Sequence, residues 1–182
     1  MTTTRQTRAQ RREEEFEQLA LAVTPRLLRS ARLLCGDAHG AEDLVQETLA
    51  KLYVRQRSTL LPRLENPAAY AQTVLTRTFL SARRRRSSTE LPLGELPDRL
   101  EPWGVAAPAA PEDRLALQAA LAELAPGDRA VLVLRYLEEL SVEETADRVG
   151  CTAGAVRTRC SRALGRLRVV VERSLVETEE QR

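Results

Sequence analysis

From Glu13 to Val23, and again from Pro25 to Cys35, apolar side chains return every three or four residues, the spacing of one face of an α-helix. Pro25 suits the first turn of the second piece, so two helices are predicted here. Gly36 and Asp37 then stop one helix and cap the next. Over residues 38–56 a core stripe of Ala41, Val45, Thr48, Leu49 and Leu52 lies opposite Glu42, Asp43, Gln46, Glu47 and Ala50. A loop with Ser58, Pro62 and Asn66 follows. Asn66 offers a side-chain acceptor at the N-cap and Pro67 presets the helical φ, so a further helix is predicted from Pro67 to about Arg86.

Residues 87–111 hold five of the nine prolines (Pro92, Pro97, Pro102, Pro108 and Pro111), two glycines and no helical period, which reads as a linker. Extended at about 3.3 Å per residue it reaches about 80 Å, against roughly 70 Å for two turns of duplex DNA. Beyond it, Asp113–Leu124 and Pro126–Leu140 have the pattern of amphipathic helices. Ser141-Val142-Glu143-Glu144 is a capping box, Gly150 is a residue free to take positive φ, and Thr152 is the next N-cap. Short helix, glycine turn and a longer helix from Ala153 to about Glu172 make a helix-turn-helix layout.

The expected fold is all-α. Of 182 residues 43% are apolar but only 3% aromatic, which suits two small helical domains, 13–86 and 112–172, rather than one large core. No run of about 18 uncharged apolar residues occurs, and Met1–Glu15 is Arg-rich and then acidic, unlike a signal peptide. A soluble, cytoplasmic protein without membrane contact is expected. Cys35, Cys151 and Cys160 form no CxxC pair, and Cys35 with His39 is too few ligands for a closed site, so neither metal nor cofactor is expected. With His39 the sole histidine and no nucleophile motif beside it, enzymatic chemistry and a small-molecule substrate are not expected either.

Charge adds a pointer that composition hides. The formal net charge is +2, yet residues 1–90 carry 16 basic and 10 acidic groups, 91–150 carry 5 and 12, and 151–182 carry 7 and 4. Two basic segments around an acidic one fit a chain touching a polyanion at two places. Lys51 is the single lysine among 28 basic residues; the arginine excess fits a GC-rich genome and also favours phosphate and guanine contacts.

On the last helix Val156, Cys160, Ala163, Leu164, Leu167 and Val171 form the expected buried stripe, with Cys160 packing as a small hydrophobe. The other face shows Ala153, Gly154, Arg157, Thr158, Ser161 and Arg162. Small residues in the first turn allow close approach to DNA, arginines pair with guanine or phosphate, and hydroxyls bond either. Alone this would be a solvated arginine face; the preceding turn makes it a recognition helix. Arg83, Arg84, Arg85 and Arg86 close the helix from Pro67, where the dipole favours cations without any partner. They also suit a phosphate clamp, with Tyr70, Thr73, Thr76, Arg77 and Ser81 upstream to stack on or bond exposed bases. The carboxylates of Glu42, Asp43 and Glu47 complement a helix N-terminus, but lying between basic surfaces they also point to a protein partner.

Ala41-Glu42-Asp43-Leu44-Val45-Gln46-Glu47-Thr48, Asn66-Pro67-Ala68-Ala69-Tyr70 leading to Ser81-Ala82-Arg83-Arg84-Arg85-Arg86, Leu124 to Val131, Leu134-Arg135-Tyr136 and Leu140 to Ala146 come in an order that resembles an extracytoplasmic-function sigma factor, and more narrowly the actinobacterial SigE-family group. The resemblance covers about residues 13–172. It implies a sigma domain 2 at 13–86 whose Glu42, Asp43, Leu44, Gln46 and Glu47 dock on RNA polymerase core, which is bound through its β′ and β subunits. It implies a Pro67–Arg86 helix that reads and helps open the proximal promoter element, and a domain 4 at 112–172 that reads the distal one. It leaves room for an anti-sigma factor. Arg77 stands where many members carry asparagine, so the identity of the captured proximal base is open. Few aromatics serve strand opening: Tyr70, with Tyr53 and Phe79 expected in the core. The competing classes are a stand-alone helix-turn-helix regulator, which would dimerise on a two-fold site, and a protein-binding adaptor without salt-dependent DNA affinity.

Overall fold

In a computed structural model of the protein, residues 2–58, 61–89 and 111–180 are described, with the side chains of 2–9, 86–89, 111–114 and 170–180 left aside. Among the described residues seven α-helices follow in order: α1 (Thr2–Cys35), α2 (Ala38–Arg57), α3 (Pro67–Thr89), α4 (Pro111–Ala122), α5 (Pro126–Leu132, continued by a π-helical turn over Val133–Leu137), α6 (Val142–Val149) and α7 (Ala153–Glu180). Most of the 87–111 linker lies outside the described residues, as do the prolines at 92, 97, 102 and 108.

The start signals act as written. Asp37 accepts the amide of Gly40 at 2.5 Å and Asn66 that of Ala69 at 2.9 Å, while Gly36 ends α1 with φ 86°. α1, however, is one helix and not two. Pro25 leaves one amide bond unmade, a loss of about 3 kcal/mol in a helix interior. Val23, Leu27, Ala31 and Leu34 form one buried line across it, and at about 1.5–3 kcal/mol for each large side chain that line outweighs the proline.

α1, α2 and α3 pack on one another, and α5, α6 and α7 do the same. The two halves are nonetheless not separate globules. Val23, Leu27, Leu34, Ala41, Leu75 and Phe79 of the first share one core with Leu121, Leu124, Leu132, Val133 and Ala163 of the second. Chains poor in aromatics bury little area per small unit, and pooling two cores offsets that deficit. Polar contacts fix the register of the seam: Gln118 Nε2 donates to Gly36 O at 2.8 Å, and Arg129 reaches across to Leu34 O at 2.6 Å.

The helix predicted to run on to Leu140 instead widens at Val133. The Glu138 amide bonds Val133 O at 3.1 Å, a five-residue span, and Glu139 then takes φ 54°. The wide turn places Glu138 inside, its side chain fully buried. α7 runs past the expected Glu172 to Glu180.

Candidate nucleic-acid interface

The helix-turn-helix is held by local bonds. Ser141 Oγ accepts the Glu144 amide at 3.0 Å while Glu144 Oε2 accepts the Ser141 amide at 2.8 Å, and Ser141, through its amide first and then its side chain, holds the Glu144 carboxyl below its ordinary range. Gly150, at φ 75° and ψ 47°, donates to Ala146 O at 2.8 Å, and Thr152 Oγ1 accepts the amide of Ala155 at 3.2 Å. Val131, Ala146 and Val156 pack beneath the turn, so α7 is pinned at its first full turn.

That leaves the outer edge of α7 in water. Gly154, Arg157, Thr158, Ser161 and Arg162 are exposed and Ala153 is half-buried. The two arginines differ. Arg157 makes an exposed ion pair with Glu143 at 3.2 Å, an interaction of small net value that a phosphate or guanine can replace. Arg162 is anchored: Nε and Nη2 bond the two oxygens of buried Asp128 at 2.9 and 2.7 Å. The fork is already used, so of the two contacts expected of Arg162, guanine or phosphate, the geometry favours the second, through Nη1. Leu164, expected in the buried stripe, is 43% exposed; Val156 and Ala163 are buried, Cys160 and Leu167 half-buried, and the side chain of Val171 is not among those described. Burial pushes the Cys160 thiol up, in keeping with a packing role.

On α3 the expected reading face divides. Tyr70 is half-buried with Arg55 over its ring at 5.9 Å, and Thr73 is half-buried with its hydroxyl bonded to Ala69 O at 2.9 Å. Thr76, expected to face bases, is 1% exposed and bonds Gln72 O, because its position falls on the buried line with Gln72 and Phe79. Arg77 is exposed, and it donates two hydrogen bonds to α6: Nη2 to Asp147 O at 3.0 Å and Nε to Arg148 O at 3.3 Å. In the arginine run Arg84 and Arg85 are exposed, Arg83 is half-buried over the Phe79 ring at 5.8 Å, and the Arg86 side chain is outside the described residues.

The α2 carboxylates stand apart from all this. Glu42, Asp43, Gln46 and Glu47 are exposed on one face; Asp43 pairs with His39 at 3.6 Å and Glu47 with Lys51 at 2.7 Å. Leu44, expected among the docking residues, is 7% exposed and belongs to the core, since it stands between Ala41, Val45 and Thr48 on the inward side.

One feature went unread in the sequence. A cleft of about 720 Å³ opens where the start of α1 meets the end of α2 and the loop before α3, lined by Arg12, Phe16, Tyr53, Arg55, Arg57 and Arg63 together with the carboxylates of Glu13 and Glu15, the latter paired with Arg63 at 3.6 Å. Tyr53 packs edge-on against Phe16 at 4.9 Å and carries Arg57 over its ring at 5.2 Å. Three arginines within nine residues flanking a proline loop were the available signal. A ring edged with guanidinium groups is suited to a planar base and its phosphates.

Among the described residues no three His, Cys, Asp or Glu side chains come together to hold a metal ion, and no helix is long and apolar enough to cross a membrane. A helix-turn-helix with an exposed arginine edge, a second basic face and a separate acidic face fit a DNA-reading specificity subunit of the transcription machinery. Comparisons agree. Residues 19–89 match the sigma-70 region 2 model and residues 114–167 the sigma-70 region 4 model. The chain is 39% identical over 158 residues to the RNA polymerase sigma-E factor of Streptomyces avermitilis, spanning 87% of this chain and 86% of that protein. It is 40% identical over 154 residues to that of Streptomyces coelicolor, spanning 85% and 84%. Among solved structures it resembles the sigma factor RpoE of Bartonella quintana in complex with the anti-sigma factor NepR, with TM-score 0.66, 28% identity and coverage of 87% and 98%. The chain belongs to the sigma-70 family, in its extracytoplasmic-function group. It is a sigma factor, which directs RNA polymerase core to promoters for transcription initiation.

Proposed function

We propose a division of surfaces within this sigma factor. Glu42, Asp43, Gln46 and Glu47 on α2 dock on the β′ subunit of polymerase core, with β contacted from the second half. The exposed part of α3, through Tyr70, Thr73, Arg77 and Arg83–Arg86, reads and helps open the proximal promoter element, and the Tyr53 cleft supplies a second stacking ring beside Tyr70. α7, through Ala153, Arg157, Thr158, Ser161 and Arg162, reads the distal element, with Arg157 the base reader and Arg162 a backbone anchor. In this reading 13–86 and 112–172 are the two working units and 87–111 the strap between them. No chemistry is performed by the chain itself, and it works in the cytoplasm where polymerase and chromosome meet. An anti-sigma factor, as in the Bartonella quintana complex, would act by covering these same faces.

The observation that carries this reading is the segregation of exposed charge: carboxylates on one face of α2, arginines on α3 and α7. Asp43→Arg tests it. Asp43 is exposed, so its replacement leaves the helix and its melting temperature intact. Co-purification with polymerase core is expected to be lost; retention at the parental level sinks the docking assignment.

A further inference from the structure

Arginines leave α7 in two ways. Arg157 stands on the outer edge, with the exposed carboxylate of Glu143 beside it at 3.2 Å. Arg162, further along, is turned to the flank, where Nε and Nη2 meet both oxygens of Asp128 at 2.9 and 2.7 Å. The Asp128 side chain is 2% exposed and that of Arg162 is 51% exposed. One turn earlier on the same flank Arg159 lies across Gly127, where a methyl group would meet its Nη1 at 2.1 Å. Asp128 belongs to the first turn of α5. A carboxylate there suits the helix dipole, but one so deeply buried also needs a cation, and satisfying both of its oxygens takes the whole Nε–Nη2 fork. That fork is the part of arginine that recognises guanine, by bonding O6 and N7 together.

We infer that Asp128 is a specificity-determining residue of the distal-element reader: by taking the Arg162 fork it confines Arg162 to phosphate and leaves the reading of bases on this part of α7 to Arg157. The inference rests on the assignment of α7 to the distal element. Asp128 touches no DNA; it acts through Arg162 and is a positioning residue. Specificity set in this way works by withholding a contact. An arginine free to turn would pair with a guanine within its reach and so add a preferred base pair to the site. Held by a buried carboxylate, it offers Nη1, which a phosphate oxygen accepts whatever the sequence. Because the fork already fixes the side chain, the phosphate contact has little rotamer freedom left to remove.

The test reads base preference, which a purely structural tie between α5 and α7 would not move. Holoenzyme assembled from the full chain and polymerase core is selected on fully randomised duplexes, and the bound pool is sequenced. Asp128→Asn keeps the shape of the side chain and one acceptor, and Asp128→Ala removes both acceptors. Each is expected to keep the preferences of the parent and to gain a guanine at one base pair that the parent leaves open, most strongly for Asp128→Ala. The gain should be about five- to a hundredfold, the worth of one bidentate arginine–guanine pair. Adding Arg162→Gln should erase the new preference, and adding Arg157→Ala should leave it. In the parent background Arg162→Gln, which can still bond Asp128, should weaken binding to all duplexes alike. An unchanged base profile in both Asp128 variants, or a gained guanine that survives Arg162→Gln, overturns the role of Asp128. A base-selective loss for Arg162→Gln in the parent background overturns it too, and that measurement leaves α5 untouched. If Arg157→Ala relaxes the parent's motif while the Asp128 variants do not alter it, the inference fails and the assignment of α7 stands; a motif that no arginine of α7 affects sinks both.

Discussion

Replacing Arg129 with methionine tests how the two halves are joined. The Arg129 guanidinium, 6% exposed as a residue, donates from Nη1 to Leu34 O at 2.6 Å and from Nη2 to Ala122 O at 2.6 Å and Leu124 O at 3.2 Å. It thereby ties the end of α1 to the end of α4, where helix carbonyls have no amide partner of their own. Methionine fills a similar volume but leaves three carbonyls bare, those of Leu34 and Leu124 buried and that of Ala122 half-buried, at about 1–3 kcal/mol each. Against that stands relief of a buried charge: burial first, and then the like charge of Arg83, lower Arg129 to about 10, well below the ordinary guanidinium range and equivalent to about 3 kcal/mol. The difference leaves Arg129→Met less stable by about 3 kcal/mol, taken from the middle of the carbonyl range. Urea unfolding followed by far-UV circular dichroism reads this as a lower midpoint at unchanged slope. A midpoint within about 0.5 kcal/mol of the parent would show that water satisfies those carbonyls and that the ends of α1 and α4 are not sealed by this residue.

Two further outcomes are expected. Arg157→Ala should leave the melting temperature alone, since its ion pair with Glu143 is exposed, yet weaken distal-element binding by about 1–3 kcal/mol with relaxed specificity at one base; an equal loss on every sequence makes it a phosphate contact, and no loss removes it from the interface. Glu144 is held below its ordinary 4.5 by the Ser141 amide and hydroxyl, so its folded form binds its proton more weakly than its unfolded form. Its stabilisation is therefore complete above about 4.5 and is lost as the pH falls through the lowered value. Acid melts of Glu144→Gln should converge on the parent in that window, and parallel curves would refute the role of the carboxylate.

Much of the helical scaffold was legible because its signals are local. A cap is written in two or three adjacent residues, and Asp37, Asn66, Ser141 with Glu144, and Gly150 each do what their type and spacing imply. The acidic face of α2 and the outer edge of α7 were legible for the same reason, since a 3.6-residue period sorts inside from outside. Where that period misled, a tertiary contact had the larger energy. Pro25 reads as a boundary until the buried line through Val23, Leu27 and Leu34 is weighed against it. Thr76 reads as an outward hydroxyl until Leu75 and Phe79 beside it are seen in the core.

The seam between the halves could not be read this way, and the reason lies in Glu138. A glutamate near the end of an amphipathic helix belongs in solvent on any local reading, and Ser30 and Arg26, 108 and 112 residues away, each have unremarkable local explanations too. The period identifies faces, but only three-dimensional proximity identifies which face meets which. A trace was nonetheless present. Ser30, Thr48, Gln72 and Thr76 interrupt stripes that are otherwise leucine, valine and alanine, and all four are buried. Polar residues on an inward face must find partners or destabilise the fold. Thr48 and Thr76 find theirs one turn back in their own helices, whereas Ser30 and Gln72 bond each other and Ser30 reaches on to Glu138 in the other half. Of the inward polar residues, then, those whose bonds close locally build the helices, and those whose bonds leave the helix show which helices meet, within the first half for Gln72 and across to the second for Ser30.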